Sequence, residues 1–390
     1  MRILVLSTSY PSTNLSRGIF VHRIYQRIVK KHHKVTVVTP LVVDGPENLD
    51  GVKVKRFTYF FTPALQFITK KNVVTGLKNP LGILQLPLFF LIYFIKSYKE
   101  AKKSDVIHAH WAFSGILAIF LGRLLKKPSL ITLRGSDINV AVKYFPTRFL
   151  MKLVLNFVTV ALSNSLEYTQ RAESLGLNKK VDVIVNGIDT EIFHPRNKNL
   201  ARNKLGLSRN KTIFVYTGRL MELKGVDDII EALPIFSKKY QNFKFIFIGA
   251  GEIDKFKKEC KEKGILDYVE FVGEKSQKEI ALYLNASDLF VFPGKAAGIA
   301  NIWIEALASG TPVLVANAPG TEYLITHNKN GLIVPMNDPK AVADAMFLFT
   351  KNKKLAAKLR KNTDNIIKEK GLSWENTAEK HIKIYENLIK

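Results

Sequence analysis

Short apolar runs alternate with longer amphipathic segments along most of the chain. Runs rich in β-branched and aromatic residues are typical of strands, whereas longer segments with helical periodicity are typical of helices. The predicted strands of a first series are residues 3–6, 35–39, 106–109, 130–133, 158–162 and 181–185. Those of a second series are residues 212–217, 243–248, 269–272, 289–292 and 312–316. Helical segments separate most of these strands, so the pattern predicts two doubly wound, Rossmann-like α/β domains with parallel sheets.

The polar stretch around Pro195 marks the expected division between the two domains. Residues 187–200 are polar and contain this proline, so they are predicted to form a linker. The first domain is predicted at residues 1–190 and the second at residues 196–372. A final helix is predicted over residues 373–390, because Ser373 is a favourable N-cap and an acid follows in the first turn.

Length, charge and cysteine content narrow the class of protein. A chain of 390 residues exceeds a single core, which agrees with two domains. A formal net charge of +26 favours an anionic partner such as a phosphorylated substrate, an anionic membrane surface or a nucleic acid. A solvated lysine-rich surface accounts for about half of this excess. Cys260 is the single cysteine, so no disulfide forms within the chain and a cytoplasmic location is expected.

Two segments are candidates for contact with a membrane. Residues 81–95, LGILQLPLFFLIYFI, are apolar but shorter than the roughly 20 residues that a membrane span needs, and they contain Gln85 and Pro87. Residues 57–71 have a similar aromatic character and end in two lysines. Lysines also follow residues 81–95, at positions 96, 99, 102 and 103. Peripheral attachment to a bilayer surface and packing in the core are both open for these segments.

The loop after the strand at 212–217 is the first candidate for phosphate chemistry. It reads Thr217-Gly-Arg-Leu-Met-Glu-Leu-Lys-Gly225, in which Gly218 permits a tight turn. Arg219 and Lys224 supply two cations beside the start of the next helix, where a diphosphate would gain charge-assisted hydrogen bonds. The alternative is an exposed loop with two ordinary surface cations.

The second candidate is the stretch from Ala297 to Gly310, AGIANIWIEALASG, which follows the strand at 289–292. It opens a predicted helix that carries Glu305. Ligands of doubly wound folds bind beyond the carboxyl ends of the strands, so both loops belong to the edge where a ligand is expected.

Together these motifs resemble the donor-binding half of retaining glycosyltransferases of family four, which have the GT-B fold. The resemblance rests on Gly218-Arg219-Leu-x-x-x-Lys224-Gly225 and on the acid-bearing helix that ends in Ala-Ser-Gly-Thr-Pro-Val. Further matches cover almost the whole chain: Tyr10-Pro11, Gly18-Ile-Phe20, Asp105-Val-Ile-His-Ala-His-Trp111, Thr132-Leu-Arg-Gly-Ser-Asp137, Val185-Asn-Gly-Ile-Asp189, Phe193-x-Pro195, Phe271-Val-Gly273 and Asn330-Gly331.

The resemblance implies a fold and a reaction. Two Rossmann-like domains would face a central cleft, and the last helix would cross back to the first domain. A sugar would pass from a nucleotide-sugar donor to a glycan or a lipid-linked acceptor, with retention of the anomeric configuration. No metal and no cofactor are expected, and the sequence contains no Asp-x-Asp motif.

The resemblance also implies roles for individual residues in donor binding. Arg219 and Lys224 would neutralise the pyrophosphate, and Glu305 would accept hydrogen bonds from the ribose. The backbone amides of Asn301 and Ile302 would contact phosphate or sugar. The remaining donor-binding candidates are Gly18, Gly218, Val272 and Gly273.

His110 and Arg134 are the candidates for the reacting end of the site. Each lies just after a predicted strand. Many family members have a histidine where this chain has Arg134, and that position contacts the donor sugar. An arginine cannot act as a base, so Arg134 could only bind charge or donate hydrogen bonds. A packed histidine at a strand end is the alternative for His110. His108 and His110 make a poor metal site, because no third ligand is evident.

One position departs from the family pattern. The family has two acids separated by seven residues, and Ala297 stands where the first acid is expected. A donor that does not need that acid, a replacement by a neighbour such as Lys295, and a binding protein without transferase activity are three alternatives. The last would be a nucleotide-sugar-binding or scaffold subunit of a glycan-assembly complex. No nucleic-acid-binding module is recognised, so a nucleic acid is not the expected partner.

Overall fold

The computed structural model describes residues 1–12, 17–42, 44–69, 76, 79–142, 145–294 and 301–390, with backbone alone at 146, 364 and 365. Contacts divide the chain into two compact units. Unit 1 comprises residues 1–186 together with 374–390, and unit 2 comprises residues 187–373.

The predicted linker is therefore part of unit 2, which corrects the expectation for residues 187–200. Ile188 forms a parallel bridge with Ser373, and the Phe193 side chain is buried. The segment packs because Ile188 and Phe193 interrupt its polar residues at positions that face the core of unit 2. A helix begins within it, at Lys198.

Unit 1 contains an eight-stranded sheet in the order β3-β4-β2-β1-β5-β6-β7-β8. All neighbouring strands are parallel except β3 and β4. The strands are β1 (Arg2–Ser7), β2 (Lys34–Pro40), β3 (Asn48–Leu49), β4 (Val52–Phe57), β5 (Val106–His110), β6 (Ser129–Leu133), β7 (Val160–Ser163) and β8 (Val181–Val183). The sequence pattern missed β3 and β4, because β4 alternates apolar and basic residues and has no continuous apolar run.

Helices cover both faces of this sheet. The helices of unit 1 are α1 (Ile19–Lys30), α2 (Pro80–Leu84), α3 (Leu86–Lys103), α4 (Ala112–Leu125), α5 (Ser136–Ala141), α6 (Phe145–Phe157), α7 (Leu166–Glu173) and α16 (Trp374–Ile389). Alternate residues of β1 serve the two faces, as the period of a strand requires. Ile3 and Val5 join the core that contains α1 and α16, whereas Leu4 and Leu6 join the core that contains α3 and α4.

Unit 2 contains a six-stranded parallel sheet in the order β11-β10-β9-β12-β13-β14. Its strands are β9 (Thr212–Thr217), β10 (Phe243–Ile248), β11 (Val269–Phe271), β12 (Leu289–Phe292), β13 (Val313–Ala316) and β14 (Gly331–Val334). Its helices are α8 (Lys198–Lys204), α9 (Val226–Ser237), α10 (Ile253–Glu262), α11 (Gln277–Ala286), α12 (Asn301–Ala308), α13 (Pro339–Lys351), α14 (Lys353–Lys361) and α15 (Thr363–Lys370). The predicted fold class, two Rossmann-like units with parallel sheets, is confirmed.

Each sheet has a point where the strand order reverses. The chain leaves β1 toward β2 and later returns to β5 on the other side of β1, and β9 stands in the same relation to β10 and β12. The loops that follow β1 and β5, and those that follow β9 and β12, therefore diverge at the carboxyl edge of the sheet. Such switch points are where doubly wound folds bind their ligands.

Candidate functional site

The loop after β9 packs directly on the end of β12. Gly225 has a φ of +75°, and a Cβ at this position would stand 2.6 Å from the carbonyl carbon and oxygen of Pro293. Only glycine permits this approach. The loop from Gly218 to Gly225 is thereby held beside Pro293 and Gly294, where the chain leaves β12.

The loops after β10 and β11 are tied to the same place by backbone contacts. The Leu220 N–H donates to the Ala250 carbonyl at 2.8 Å, and the Gly249 N–H donates to the Gly273 carbonyl at 2.9 Å. A Cβ on Gly249 would lie 2.0 Å from the Gly218 carbonyl oxygen. Gly249 was not among the predicted site residues, although a glycine directly after an apolar strand was a signal that could have found it.

The two predicted cations lie on the β9 loop, and neither forms an ion pair with a described residue. The Arg219 side chain is exposed and the Lys224 side chain is half-buried. Neither side chain has a hydrogen-bond or ion-pair partner among the described residues. Burial lowers the pKa of Lys224, because the ammonium group has lost water and gained no carboxylate in exchange.

Glu305 lies on α12, the helix that follows β12. Trp303, 1% exposed, fixes this helix by an edge-on contact with Phe292, with 6.1 Å between the ring centroids. The Glu305 carboxylate is half-buried and has no side-chain partner among the described residues. Burial raises the pKa of Glu305 to about 7. Near neutral pH this carboxyl can therefore bind or release a proton, and a hydroxyl group that donates to it would favour the ionised form.

The remaining donor-binding candidates of unit 2 lie near these loops. Asn301 and Ile302 are half-buried in the first turn of α12, and Val272 and Gly273 follow β11. Ala297 and Lys295, on which the question of the absent acid depends, lie outside the described residues.

Unit 1 places its three candidates at the carboxyl edge of its own sheet. A Cβ on Gly18 would lie 2.4 Å from the Ser9 carbonyl oxygen, so Gly18 sits against the loop that leaves β1. His110 is the last residue of β5 and is fully buried, whereas the half-buried Arg134 follows β6.

Arg134 and His110 are in direct contact. The Nε and Nη2 atoms of Arg134 lie 3.3 and 3.2 Å from the His110 Nδ1 atom, and Nη1 donates to the Asn186 Oδ1 atom at 2.9 Å. A guanidinium group can only donate, so Nδ1 of His110 accepts and its proton lies on Nε2, which faces the Tyr25 hydroxyl at 2.8 Å. His110 is therefore a neutral group that holds Arg134, which favours the packed-histidine alternative.

The electrostatics agree with this assignment. Burial, aided by the Arg134 charge, holds the pKa of His110 well below its usual range. Burial also lowers the pKa of Arg134 to about 10, so the guanidinium stays charged at neutral pH. No carboxylate of the described residues forms an ion pair with it.

A buried polar network connects this pair to the C-terminal helix. The Nδ1 atom of His108 lies 2.5 Å from the Tyr385 hydroxyl and 3.0 Å from the Tyr25 hydroxyl. The Nε2 atom of His108 lies 2.8 Å from the Thr132 hydroxyl. Tyr25 and Tyr385 were missed by the sequence analysis, because residues so distant in the chain carry no local signal of their contact.

Two further findings concern metals and membranes. The described residues contain no group of three or more His, Cys, Asp or Glu side chains that could hold a metal ion. Within the same residues, no helix has the length and apolar character that crossing a membrane requires. The expectation of a reaction without a metal stays a prediction.

Comparison with known proteins identifies the class. The model of glycosyltransferase family 4 matches residues 18–192, and the model of group 1 glycosyl transferases matches residues 197–366. A putative teichuronic acid biosynthesis glycosyltransferase of Bacillus subtilis is 28% identical over 372 residues, which are 89% of this chain and 88% of that protein. The N-acetyl-alpha-D-glucosaminyl L-malate synthase of Bacillus anthracis is 22% identical over 100% of this chain and 98% of its own.

A solved structure shows the same fold. The HepE protein of Anabaena, crystallised in complex with UDP, superposes with a TM-score of 0.79 at 18% identity, over 100% of both chains. The two units thus have the architecture of GT-B glycosyltransferases. The chain belongs to glycosyltransferase family four, and it is an enzyme of glycan and polysaccharide biosynthesis. The alternative of a subunit without transferase activity is not favoured.

Proposed function

We propose that this enzyme transfers a sugar from a nucleoside diphosphate donor to a glycan or lipid-linked acceptor with retention of configuration. The observation that carries this proposal is a group of charges at the switch point of unit 2 that have no partner among the described residues. Arg219 and Lys224 offer positive charge after β9, and Glu305 offers an acceptor after β12. A nucleoside diphosphate has the matching groups: two phosphates for the cations, and the two ribose hydroxyls as hydrogen-bond donors for the carboxylate.

A uridine nucleotide is the donor to test first. The Anabaena neighbour was crystallised with UDP and with UDP-glucose, which supports a nucleotide of that kind at the corresponding edge. The acceptor stays open, and a cytoplasmic location at a membrane face stays a prediction from the sequence.

The proposed reaction is a front-face displacement. The bond between the anomeric carbon and the phosphate oxygen breaks, and the acceptor oxygen bonds to the anomeric carbon from the same face. The acceptor proton passes to the leaving diphosphate oxygen. Arg219 and Lys224 stabilise the charge that develops on this leaving group, a contribution that is usually large. In unit 1, Arg134 is a fixed cation that donates hydrogen bonds to a substrate oxygen.

A donor screen with one matched pair of variants tests the proposal. The melting temperature of the purified protein is measured with each of a panel of nucleotide sugars. In a separate assay, release of the nucleoside diphosphate from each donor is followed. We expect one donor to stabilise the protein and to be hydrolysed slowly. Lys224→Ala should lower that turnover by on the order of 100-fold or more.

Lys261→Ala is the control, because Lys261 is exposed at the far end of α10. It should turn over the donor at the wild-type rate. Turnover by Lys224→Ala equal to that of the control would remove Lys224 from the mechanism. Absence of both stabilisation and turnover across the panel would count against a nucleotide-sugar donor.

A further inference from the structure

An apolar surface covers the outer side of three neighbouring helices of unit 1, and we refer to it as the α3–α4–α6 face. Its members are large apolar side chains that are exposed in the folded unit. Phe145 is 81% exposed and Leu84, at the end of α2, is 75% exposed. The others are Leu88, Leu91 and Ile95 on α3, Phe120 and Leu124 on α4, and Phe149, Leu153 and Phe157 on α6.

The spacing of these residues makes a continuous stripe on each helix. Those of α6 stand four residues apart, and those of α3 stand three or four apart, so each set lies along one side of its helix. The opposite sides pack in the core, where Phe89 and Tyr93 of α3 and Val154 of α6 are buried. These helices are thus apolar on two sides, although a surface helix normally needs only one.

The stripes lie beside one another. Phe94 of α3 contacts Phe120 of α4 edge-on, with 5.8 Å between ring centroids. The Arg123 guanidinium of α4 lies 4.4 Å above the ring of Phe157 on α6. Contiguous exposed apolar surfaces on soluble proteins often mark interaction sites.

The same helices are strongly basic. Their exposed cations are Lys96, Lys99, Lys102, Lys103, Arg123, Arg148 and Lys152. Glu100 is the one acid in α2, α3, α4 and α6, and it pairs with Lys55 at 2.6 Å. The face therefore combines apolar side chains with positive charge that no acid of these helices offsets.

We infer that the α3–α4–α6 face docks on a bilayer that contains anionic lipids. The apolar side chains enter the boundary between headgroups and acyl chains, and the Lys and Arg side chains reach the anionic headgroups. A second copy of this chain fits poorly, since a two-fold interface would bring the same cations together from both sides. The docking does not depend on sugar transfer, so it stands or falls separately from the proposed reaction.

Vesicle flotation of the full chain tests the inference. The protein is mixed with phosphatidylcholine vesicles, or with vesicles that also contain phosphatidylglycerol, and the bound fraction is measured at low and high salt. We expect binding to the anionic vesicles only, weakened by salt because the charges are screened. Equal binding to both vesicles, or binding to neither, would overturn the inference.

Two pairs of substitutions locate the contact. Phe145→Ser with Phe149→Ser should raise the lipid concentration needed for half-binding by roughly tenfold, because two exposed rings leave the interface. Lys99→Gln with Lys103→Gln should have an effect of about the same size, since each cation near an anionic surface contributes to binding. The circular dichroism spectrum and melting temperature should stay close to those of the wild type in all of them, which shows that the fold is intact.

Controls of matched chemistry lie in unit 2. Met336→Ser with Leu348→Ser removes exposed apolar side chains, and Lys257→Gln with Lys261→Gln removes exposed charges. These variants should float like the wild type. If they lose as much binding as the α3–α4–α6 variants, general charge and not this face attracts the vesicles, and the inference is wrong. A dimer in light scattering that Phe145→Ser with Phe149→Ser dissociates would assign the face to a second copy and would equally overturn it.

Discussion

At the scale of single residues, the charged groups of Lys224, Arg134 and Glu305 lose water on folding without forming an ion pair with a described residue. Burial lowers the pKa of Lys224, lowers that of Arg134 to about 10 and raises that of Glu305 to about 7. Each direction is that of desolvation, which disfavours the charged form. Burial of a charged group without an opposite charge lowers the stability of the folded protein. Such groups cluster at sites where a ligand supplies the missing charge or hydrogen bond, so these three support a binding role.

Glu305→Gln should stabilise the free enzyme above neutral pH. The pKa of Glu305 in the folded protein, about 7, lies above its ordinary value of 4.5. Between these values the folded protein holds a proton that the unfolded chain has released, so stability falls as pH rises through this window. The glutamine amide has no charge to bury, so the variant avoids the loss of stability that ionisation of Glu305 causes. Its melting temperature should therefore exceed that of the wild type at pH of about 8. The difference should vanish near pH 5 or below, at about the unfolded pKa.

The same variant should bind the donor less well. Ribose hydroxyls donate to the ionised carboxylate, so wild-type affinity for a nucleoside diphosphate should rise as pH rises through about 7. Glu305→Gln should bind more weakly and show no rise, as measured by calorimetric titration. A wild-type affinity that is independent of pH in this range would contradict the proposed contact of Glu305 with the donor.

At the scale of elements, close backbone contacts at glycines hold the loops after β9, β10 and β11 together. The Gly249 φ is +138° and its Cβ would lie 2.0 Å from the Gly218 carbonyl oxygen, whereas Gly264 has a positive φ of +67° and, its chain neighbours aside, no atom of a described residue within 4 Å of its Cβ position. Gly264 therefore serves as a control that has a positive φ but no loop contact to break.

Gly249→Ala should therefore be far more damaging than Gly264→Ala. Gly264→Ala, the control, should lower the free energy of unfolding by about 1–2 kcal/mol, which is the penalty of a side chain in the left-handed region. Gly249→Ala must also push the β10 loop away from the β9 loop, so it should destabilise unit 2 further and weaken donor binding. Chemical denaturation and donor titration measure both effects. Equal losses in the two variants would show that the contact between the loops contributes nothing.

How far the sequence predicts these elements depends on whether the signal is local. The cations Arg219 and Lys224 follow an apolar strand directly, and their place at the carboxyl edge of a parallel sheet could be inferred from the order of strands and helices. By contrast, β4 alternates Val with Lys and gives no apolar run, and the Tyr25 and Tyr385 hydroxyls meet His108 only through tertiary packing. Neither the strand β4 nor these tyrosine contacts could be predicted from the pattern of neighbouring residues.

At the scale of the whole molecule, the end of the chain completes unit 1. Helix α16 packs against α1, where Arg27 pairs with Glu375 and Lys31 with Glu379, each at 2.6 Å. Trp374 and Tyr385 lie in the same core cluster as β1. This helix also supplies the Tyr385 hydroxyl to the network that reaches Arg134, so it supports both the packing of unit 1 and the placement of a candidate site residue.

Removal of residues 374–390 should unfold unit 1 and spare unit 2. The deletion uncovers several large core side chains, each worth about 1.5–3 kcal/mol, and their sum approaches the roughly 5–15 kcal/mol that holds a domain together. Unit 2 keeps all of its own residues, so it should still be stabilised by a nucleoside diphosphate. Trp111 and Trp303 then remain as one tryptophan in each unit, and iodide should quench Trp111 while Trp303 stays protected.

Removal of Ile389 and Lys390 alone is the control, because both are exposed and should be dispensable. Protection of Trp111 in the longer deletion would contradict the role given to α16.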